Sequence, residues 1–593
     1  MCGIFGYIGN KKEAANIVLE GLKTLEYRGY DSWGIAVVNE KFNKAEISIK
    51  KKAGKIGNAT IKELPQSNIA LGHTRWATHG SATDINAHPH FDCSKNIAVI
   101  HNGIVENYLD LKSKLGEINH KYISETDTEV IVHLIEDNLK QFPFREAVFK
   151  TFKNLLGRNA IIALSANDKS LVVAKNGSPI VLGLGRSENY ISSDAAALIP
   201  YTKKIIFLED EQLAEITKDD IEIYSLLTGK QVKPKITILD WKLKEAQKGP
   251  YQHFLLKEIM EQDDGIKQAV SQNVDDINTL SRLIKRSFGS YFVGCGTAGH
   301  ACRAASYIFS IIAKRHINFC VGSEFSYFED FLTDKSLLIA VSQSGETADI
   351  LEAVGAARRH KSKIVSLVNV IGSSLSRVSD LVIPLRVGPE KSVLSTKAFT
   401  GKLALFYLIA YTLAGKYEEG KKQIMSTGDA LSLLLSDNKF IENIKMIADR
   451  IYQMQDIYII GRGISYPIAL EAAHKIKEAS YIHAEGFAGG EPKHCEISLI
   501  SEGTPCIVFV PNDETKTAII SNAMELKSRG GMIIGISPTK ELVFDEWIEV
   551  PDMGITSSII EVIPVQLLAY YLALRRGNDP DKPRNLAKSV TVK

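Results

Sequence analysis

The chain opens with Met1-Cys2-Gly3-Ile4-Phe5-Gly6, in which a cysteine directly follows the initiator methionine. Because the second residue is small, we expect Met1 to be removed, which leaves Cys2 with a thiol and a free α-amino group on one carbon. The amine titrates at about 7.7–8.0 and a free thiol at about 8.5, so the amine can accept the thiol proton and the thiolate can attack a carbonyl carbon. Taken alone, Cys2 is equally interpreted as a small buried residue on a first strand.

Polar residues further along the chain favour the interpretation of Cys2 as a nucleophile over that of a buried strand residue. An apolar run ends in Asn102-Gly103, which presents a side-chain amide donor and an unhindered backbone N–H, the two parts of an oxyanion hole. Arg75 offers a planar donor suited to a carboxylate, and Asp127 offers a carboxylate suited to an ammonium group. Together these residues predict a site for an α-amino acid with a side-chain amide, which is glutamine.

Histidines are frequent in the same region, and histidine is the commonest zinc ligand. None of those between residues 73 and 101 is set in a helical i, i+4 pair beside an acid, and no Cys-x-x-Cys lies near. We therefore predict no metal site and a structural role for most of them. They are His73, His79, His88, His90 and His101.

Residues 1–240 closely resemble the N-terminal-nucleophile glutamine amidotransferases, whose fold is an αββα sandwich. The resemblance rests on Cys2-Gly3-Ile4, Leu25–Ser32, Gly72–Gly80, His101-Asn102-Gly103 and Ser124–Glu129. It implies that Cys2 forms the glutamyl thioester and that Asn102 and Gly103 hold its oxyanion. It further implies that Arg75 binds the glutamine carboxylate, that Asp127 binds the α-amine, and that a mobile loop closes over the glutamine, carrying Trp76, Thr78 and His79.

Length and composition place limits on the class of protein. The 593 residues predict several domains, and a net charge of +2 from 71 basic and 69 acidic residues indicates neither a nucleic-acid nor a membrane partner. The seven cysteines are scattered and odd in number, which predicts a reduced, cytoplasmic setting. We find neither an uninterrupted apolar stretch long enough to span a membrane nor a signal peptide.

The composition changes after the first 240 residues. The charged stretch Trp241–Pro250 ends in Gly-Pro, which is typical of a linker. We therefore predict a glutaminase domain over residues 1–240 and a linker over residues 241–262.

Apolar runs then alternate with helical stretches, as in a parallel α/β sheet. The pattern occurs twice, so that Tyr291–Gly296 corresponds to Tyr458–Gly463 and Ile364–Val368 corresponds to Ile533–Ser537. The repeat predicts two doubly wound parallel α/β domains, over residues 263–425 and 440–575.

The two copies differ after their second predicted strand. The first has Ser342-Gln343-Ser344-Gly345-Glu346-Thr347 opening into a helix, where hydroxyls and N-terminal N–H groups favour an anion. The second has the acidic Pro511–Thr515, so phosphate should bind the first copy only. An ordinary capped strand–helix turn is the alternative.

The stretch Gly294-Cys295-Gly296-Thr297-Ala298-Gly299 also matches the G-x-G-x-x-G dinucleotide fingerprint, with Glu324 further on. A nicotinamide-dependent enzyme is therefore an alternative for this half. The second copy keeps only Gly461 and Gly463, which favours a tight turn that belongs to the repeat unit.

The second half resembles the sugar-isomerase (SIS) fold in two copies, and the whole chain resembles the glutamine–fructose-6-phosphate aminotransferase family. The resemblance implies that L-glutamine and D-fructose 6-phosphate are the substrates, that no cofactor is needed, and that the protein is a homodimer or larger homo-oligomer. It makes Lys588 the Schiff-base lysine, Glu478 the base at C1, Lys475 its charge partner and His494 the ring-opening acid/base, acting in a neighbouring subunit. The tail, residues 576–593, would complete the sugar site. The residues implied to hold phosphate and sugar are Thr297, Ser342, Gln343, Ser344, Thr347 and the backbone of Val393.

The chain departs from the family pattern at two places. Ala298 replaces a serine of the first turn, and His494 is followed by Cys495-Glu496 in place of Gly-Pro. A non-catalytic sugar-phosphate sensor is the alternative from another class, but it would have no use for a nucleophile, a base and a Schiff-base lysine together.

Overall fold

The computed structural model describes residues 2–41, 44–116, 120–238 and 248–590. In its first strand, β1 (Gly3–Gly9), apolar side chains point to both faces. Ile4 and Ile8 pack into one hydrophobic core, and Phe5 and Tyr7 pack into another, as the two-residue period of a strand requires. A strand covered on both faces must lie in an inner layer of its domain.

The chain divides into two compact units, residues 1–244 with 587–593 and residues 245–586. Residues 241–247 of the predicted linker lie outside the described residues. The described strands of the first unit are β1, β2 (Ser32–Lys41), β3 (Lys44–Ala53), β4 (Ile69–Arg75), β5 (His90–Phe91), β6 (Ile97–Gly103), β7 (Asn159–Ser165), β8 (Leu171–Asn176), β9 (Val181–Leu184), β10 (Glu188–Ser192), β11 (Lys204–Phe207), β12 (Gln212–Ile216), β13 (Ile221–Ser225), β14 (Gln231–Val232) and β15 (Ile236–Ile238). Its described helices are α1 (Ala14–Leu25), α2 (Tyr108–Gly116), α3 (Glu129–Asn138) and α4 (Phe144–Lys153).

The first unit is built in four layers. An eight-stranded sheet, β15-β11-β9-β10-β1-β4-β2-β3, faces a seven-stranded sheet, β14-β13-β12-β8-β7-β6-β5, across a shared core. A second core lies between the first sheet and α1, and a third lies between the other sheet and α2, α3 and α4. The predicted αββα sandwich is confirmed.

The second unit contains the described helices α5 (Phe254–Met260), α6 (Gln262–Ala269), α7 (Val274–Arg286), α8 (Thr297–Ala313), α9 (Ala348–Arg359), α10 (Ser374–Arg377), α11 (Lys397–Leu413), α12 (Tyr417–Ser436), α13 (Asn438–Ile451), α14 (Ser465–Ser480), α15 (Lys516–Lys527) and α16 (Ser557–Arg575). Its described strands are β16 (Gly289–Gly294), β17 (Asn318–Val321), β18 (Ser336–Ser342), β19 (Lys363–Val368), β20 (Leu381–Pro384), β21 (Asp456–Gly461), β22 (His483–Ala488), β23 (Pro505–Phe509), β24 (Met532–Ser537) and β25 (Glu546–Glu549).

Two five-stranded parallel sheets form the second unit. The strand orders are β17-β16-β18-β19-β20 and β22-β21-β23-β24-β25, so corresponding strands occupy the same positions in both sheets. The predicted duplication of a doubly wound fold is confirmed. One detail of the prediction was wrong. The strand taken as second in each copy is the third along the chain, because the edge strands β17 and β22 precede it.

One segment of the second unit, Gly554–Arg575, is long and apolar enough to span a membrane by length and composition, with a mean hydropathy of 1.5. However, 89% of its most apolar window is buried inside the structure. This burial is typical of a central core helix, and α16 contributes residues to the main hydrophobic core of the unit.

Glycines shape the turn between the first strand and the first helix in both copies. A Cβ on Gly294 would lie 2.7 Å from the backbone of the following helix, and a Cβ on Gly461 would lie 2.2 Å from the Ser465 carbonyl oxygen. Gly296 and Gly463 have φ angles of +52° and +55°, a region that favours glycine. Because both copies share these constraints, the structure favours the repeat-turn interpretation over the dinucleotide fingerprint.

Gly461→Ala is expected to lower the free energy of unfolding by about 1–3 kcal/mol, the usual cost of overpacking. Its Cβ would meet a backbone oxygen, which cannot rotate away as a side chain can. Gly355→Ala in α9 is the matched control, because its nearest atom is 3.8 Å away and alanine is favoured inside a helix. Thermal unfolding followed by circular dichroism should give a lower midpoint for Gly461→Ala alone. Equal midpoints for the two variants would contradict this account.

Candidate functional site

Strand register places Cys2 at the carboxyl end of β4. Cys2 lies immediately before β1, where Gly3 pairs with Thr74. The Trp76 N–H donates to the Cys2 Sγ over 3.2 Å, and the thiol lies 3.6 Å from the Trp76 carbonyl oxygen. Burial raises the pKa of the Cys2 thiol, so the nucleophile needs a base. Met1, whose removal would free the α-amine for that role, lies outside the described residues.

The predicted oxyanion donors lie at the end of β6, on the facing sheet. The Asn102 Nδ2 donates to the Cys2 carbonyl oxygen over 2.9 Å. The His73 Nε2 lies 3.0 Å from both the Asn102 Oδ1 and the His101 carbonyl oxygen, so it is assigned as the donor and orients the amide. Gly103 has a φ of +133°, and a Cβ there would lie 2.1 Å from the Arg158 carbonyl oxygen. Only glycine fits this position, which leaves the backbone N–H unhindered.

Arg75 holds the loop that carries the predicted glutamine-binding residues. Its guanidinium donates to the carbonyl oxygens of Gly80 over 2.9 Å and Ser81 over 3.1 Å, and also to that of His79. Asp127, in the segment before α3, accepts the Val105 N–H over 2.7 Å. The structure therefore places Arg75 under the predicted loop, which also contains Trp76 and Thr78.

Four of the five histidines considered from sequence are buried, and the rings of three of them lie close together. The rings of His73 and His88 stack with centroids 4.2 Å apart, and those of His88 and His90 lie 4.8 Å apart. Burial lowers the pKa of His73 to about 3 and the pKa values of His88, His90 and His101 below their ordinary range. Neutral, stacked rings are what a structural role requires. The fifth histidine, His79, is only half-buried and packs edge-on against Tyr108 at 5.5 Å.

In the second unit, the predicted anion site lies between β18 and α9. The Ser342 hydroxyl accepts the Gly345 N–H over 3.0 Å and lies 3.4 Å from the Thr347 hydroxyl. The Ser344 hydroxyl accepts the Glu346 N–H over 3.2 Å. Thr347 is the N-cap residue of α9 but makes no capping bond with its side chain, so helix capping does not explain its hydroxyl. Hydroxyls therefore gather at the positive end of a helix dipole.

The corresponding turn of the second copy is closed by a carboxylate. The Asp513 Oδ1 accepts the Thr515 N–H over 2.8 Å and the Thr515 hydroxyl over 2.6 Å. The negative charge already occupies the place that a phosphate would need, which supports the prediction that phosphate binds the first copy.

Helix α14 carries the predicted base and its charge partner. Lys475 is 1% exposed, forms an ion pair with Glu478, and lies 3.5 Å from a Glu471 carboxylate oxygen. Glu471 is fully buried and accepts hydrogen bonds from Thr297 over 3.0 Å and from His300 Nδ1 over 2.8 Å. Since Thr297 and His300 lie on α8, this cluster connects the two copies.

Lys475 is buried and only 16% of the Glu478 side chain is exposed, which excludes the simple interpretation of a solvated helical ion pair. Although burial opposes ionisation, Lys475 lowers the pKa of Glu478 to about 2. Burial likewise opposes the charge on Lys475, but Glu478 and Glu471 raise its pKa. Glu478 is thus ionised at neutral pH.

The other predicted sugar-site residues are less closely connected to this cluster. The Val393 N–H donates to the Asp581 carbonyl oxygen over 3.1 Å, and the Gln343 carbonyl oxygen accepts the Asn369 N–H over 3.2 Å. His494 is exposed, and its side chain makes no hydrogen bond or ion pair with the residues that the structure describes. Lys588 belongs to the terminal segment that is grouped with the first unit.

Two residues of the cluster around Lys475, Glu471 and His300, were not predicted from the sequence. Glu471 precedes Lys475 by four residues and Glu478 by seven, so helical spacing could have placed it on the same face. No comparable signal exists for His300, because its contact is made between the two copies.

Comparison with known proteins agrees with this architecture. The SIS domain family matches residues 284–411 and again residues 450–576, and the glutamine amidotransferase domain family matches residues 47–228. Among solved structures, the C-terminal domain of glucosamine-fructose-6-phosphate aminotransferase from Francisella tularensis matches with a TM-score of 0.53 and 32% identity, covering 57% of this chain and 99% of its own.

Curated relatives that match over their full length agree with these domain matches. The glutamine–fructose-6-phosphate aminotransferases (isomerizing) of Thermococcus kodakarensis and Pyrococcus horikoshii are each 42% identical to this chain, with 100% of both chains covered. The chain therefore belongs to the glutamine–fructose-6-phosphate aminotransferase (isomerizing) family.

Proposed function

We propose that this protein transfers the side-chain nitrogen of L-glutamine to D-fructose 6-phosphate, which yields L-glutamate and D-glucosamine 6-phosphate. The observation that carries the proposal is the presence of two chemical sites on one chain. One is the cysteine site beside Asn102, and the other is the buried cluster around Lys475 and Glu478. A glutaminase alone would need only the first, and a sugar-phosphate sensor would not need a buried base.

In the glutaminase reaction, the Cys2 thiolate adds to the amide carbon of glutamine. The oxyanion that forms accepts hydrogen bonds from the Asn102 Nδ2 and the Gly103 N–H. Ammonia leaves with the proton that the thiol lost, and water then hydrolyses the thioester to release glutamate. The fixed position of the Asn102 amide, 2.9 Å from the Cys2 backbone, supports this assignment.

We propose that Arg75 binds the glutamine carboxylate and that Asp127 binds its ammonium group. Because the Arg75 guanidinium also donates to carbonyls of the 79–81 segment, substrate binding and loop position would be linked. Trp76, Thr78 and His79 would then close over the bound glutamine.

Cys2→Ala is expected to abolish glutamine-dependent synthesis while leaving the isomerisation of sugar phosphate intact, because the nucleophile and the sugar cluster belong to different compact units. Exposed Cys495 supplies the control, Cys495→Ala, which should retain glutamine hydrolysis. Both activities should be assayed on each purified variant. Equal loss of both activities in a folded Cys2→Ala protein would contradict the assignment of the two reactions to separate units.

Mass spectrometry of the wild-type N-terminus should show that Met1 is removed, since retained Met1 would favour the sensor alternative.

In the sugar reaction, we propose that the phosphate is bound at the N-terminus of α9 by Ser344 and Thr347. Ser342, Gln343 and Thr297 would hold other phosphate or sugar oxygens, and Val393 would contribute backbone. The unused cap position of Thr347 supports this role.

The remaining groups would carry out the chemistry. His494 opens the sugar ring, and the Lys588 amine attacks the C2 carbonyl to form a Schiff base. Ammonia displaces the lysine, and Glu478 moves a proton from C1 to C2 with Lys475 balancing its charge. The product is the amino aldose phosphate.

The exposed, unpartnered side chain of His494 in the described structure supports a role across a subunit boundary. We therefore propose a homodimer or larger homo-oligomer. The seven free cysteines fit a cytoplasmic location. The departures at Ala298 and at Cys495-Glu496 remove one hydroxyl from the first turn and a Gly-Pro from the His494 loop, so we expect weaker sugar binding than in relatives that keep them.

The double variant Ser344→Ala/Thr347→Ala is expected to raise KM for fructose 6-phosphate by at least tenfold, since each hydrogen bond to a charged group contributes about 1.5–3 kcal/mol. Thr515→Ala in the second copy is the matched control and should leave KM unchanged, because that turn already holds a carboxylate. An unchanged KM in the double variant, or tight binding of a nicotinamide cofactor in calorimetry, would favour the dinucleotide alternative.

Borohydride reduction in the presence of fructose 6-phosphate is expected to attach the sugar covalently at Lys588, because reduction traps a Schiff base. Lys588→Arg keeps the charge but cannot form the adduct, and removal of residues 584–593 should abolish synthesis while sparing glutamine hydrolysis. Peptide mapping identifies the labelled residue. Labelling of another lysine, or full synthesis by the shortened chain, would refute the assignment.

A further inference from the structure

A cluster of metal-ligand side chains lies in the first unit, outside the five histidines considered from sequence. It consists of Cys93, His120, His133 and Glu136. Cys93 lies in the turn between β5 and β6, His120 lies in the segment between α2 and α3, and the other two residues lie on α3. Because His133 and Glu136 are three residues apart on a helix, their side chains share one face. The fold thus brings donors from three separate segments together.

Four distances between donor atoms lie within a few tenths of an ångström of those around a tetrahedral metal ion. The Cys93 Sγ lies 3.6 Å from His120 Nδ1 and 3.7 Å from His133 Nδ1. The Glu136 Oε2 lies 3.1 Å and 3.2 Å from the same two nitrogens. Metal bonds of about 2.0–2.3 Å at tetrahedral angles place neighbouring ligand atoms roughly 3.3–3.6 Å apart. A small inward or outward shift would therefore complete the coordination.

The outer nitrogens of both histidines agree with metal binding through Nδ1. His120 and His133 have side chains that are 6% and 1% exposed, and the Nε2 of each is buried without a hydrogen-bond partner within the described structure. The His133 Nε2 faces a Glu129 carboxylate oxygen at 3.8 Å. A carboxylate behind the outer nitrogen is the usual support of a metal-bound histidine, since it keeps the proton on that nitrogen.

We propose that these four side chains bind a structural zinc ion. A thiolate and a carboxylate supply two negative charges and neutral imidazoles supply none, so the set balances the charge of Zn²⁺. Four protein ligands leave no open position for water, which is the arrangement of a structural site and not of a catalytic one. The Cys93 N–H also donates to the Glu136 Oε2 over 3.1 Å, so the backbone places this residue beside the His–Glu network, and the further approach of its sulfur to both imidazole nitrogens is the feature that a metal ion would explain.

The position of the cluster indicates which segment a bound ion would stabilise. Glu129, which faces His133, also accepts the N–H groups of Ile123 and Ser124 over 2.8 and 2.7 Å. The segment between Ser124 and Glu129 contains Asp127, which we propose as the glutamine ammonium ligand. The zinc ion would therefore anchor α3 to the β5–β6 turn and stabilise the segment that presents Asp127.

The test is the metal content of the full-length protein, purified, supplied with Zn²⁺ and dialysed against metal-free buffer. Elemental mass spectrometry should find zinc equimolar with the wild-type chain and with the Cys495→Ser control. It should be nearly absent from Cys93→Ser. Replacement by Co²⁺ should give the visible bands of a tetrahedral site and a thiolate charge-transfer band that Cys93→Ser lacks.

A second variant protects the test against misfolding. If Cys93→Ser does not fold, His120→Ala, whose residue lies in an irregular segment, should show the same loss of zinc. A wild-type chain without stoichiometric zinc would overturn the proposal, as would zinc that is retained in both variants, because the ion would then be held elsewhere, for example at Cys2. Because this assay measures metal and not synthesis, failure of the zinc site is distinguishable from failure of the proposed function.

Discussion

The burial of Lys475 is the constraint on which the arrangement of the second unit depends. Removing an ammonium group from water costs several kcal/mol unless opposite charges compensate. Glu471 and Glu478 lie one turn before and one turn after Lys475 on α14, so the same helix supplies both. Glu471 is itself fully buried and needs further donors, which Thr297 and His300 provide from α8. Satisfying one buried lysine therefore determines where a helix of the other copy must pack.

The two copies show how one backbone can serve different purposes. Gly294 and Gly461 allow the same close approach between strand and helix, and the positive φ angles that follow are nearly identical. The next loop differs, because in the second copy the Asp513 carboxylate accepts the N–H and the hydroxyl of Thr515, whereas the first copy has the hydroxyls of Ser342, Ser344 and Thr347 in that loop. The two loops therefore differ in charge and in hydroxyl content, although the strand order of the two sheets is the same.

Local patterns in the sequence predicted the duplicated α/β fold of the second unit and part of each site, whereas the αββα sandwich of the first unit was predicted from family resemblance. Strand and helix periodicity gave both sheets of the repeat, and the i, i+3 spacing put Lys475 and Glu478 on one face. Burial of that pair could not be predicted, because it depends on α8 of the other copy. The cluster at Cys93 could not be predicted from the sequence either. Its residues come from three separate segments of the chain, and only His133 and Glu136 show helical spacing. The roles of His494 and Lys588 rest on family resemblance, because nothing in their local sequence distinguishes them from surface residues.

The two sites meet the electrostatic cost of burial in opposite ways. Around Cys2, burial raises the pKa of the thiol and lowers the pKa of His73 to about 3, so both of these groups are neutral at rest. In the proposed mechanism the thiol becomes charged only when it attacks, and the Asn102 amide, which would stabilise the oxyanion, is already oriented by its bonds to His73 and the Cys2 carbonyl oxygen. Around Glu478, pairing with Lys475 keeps the carboxylate ionised before any substrate arrives. The proposed nucleophile is therefore neutral before substrate binds, and the proposed base is kept ionised by its ion pair with Lys475.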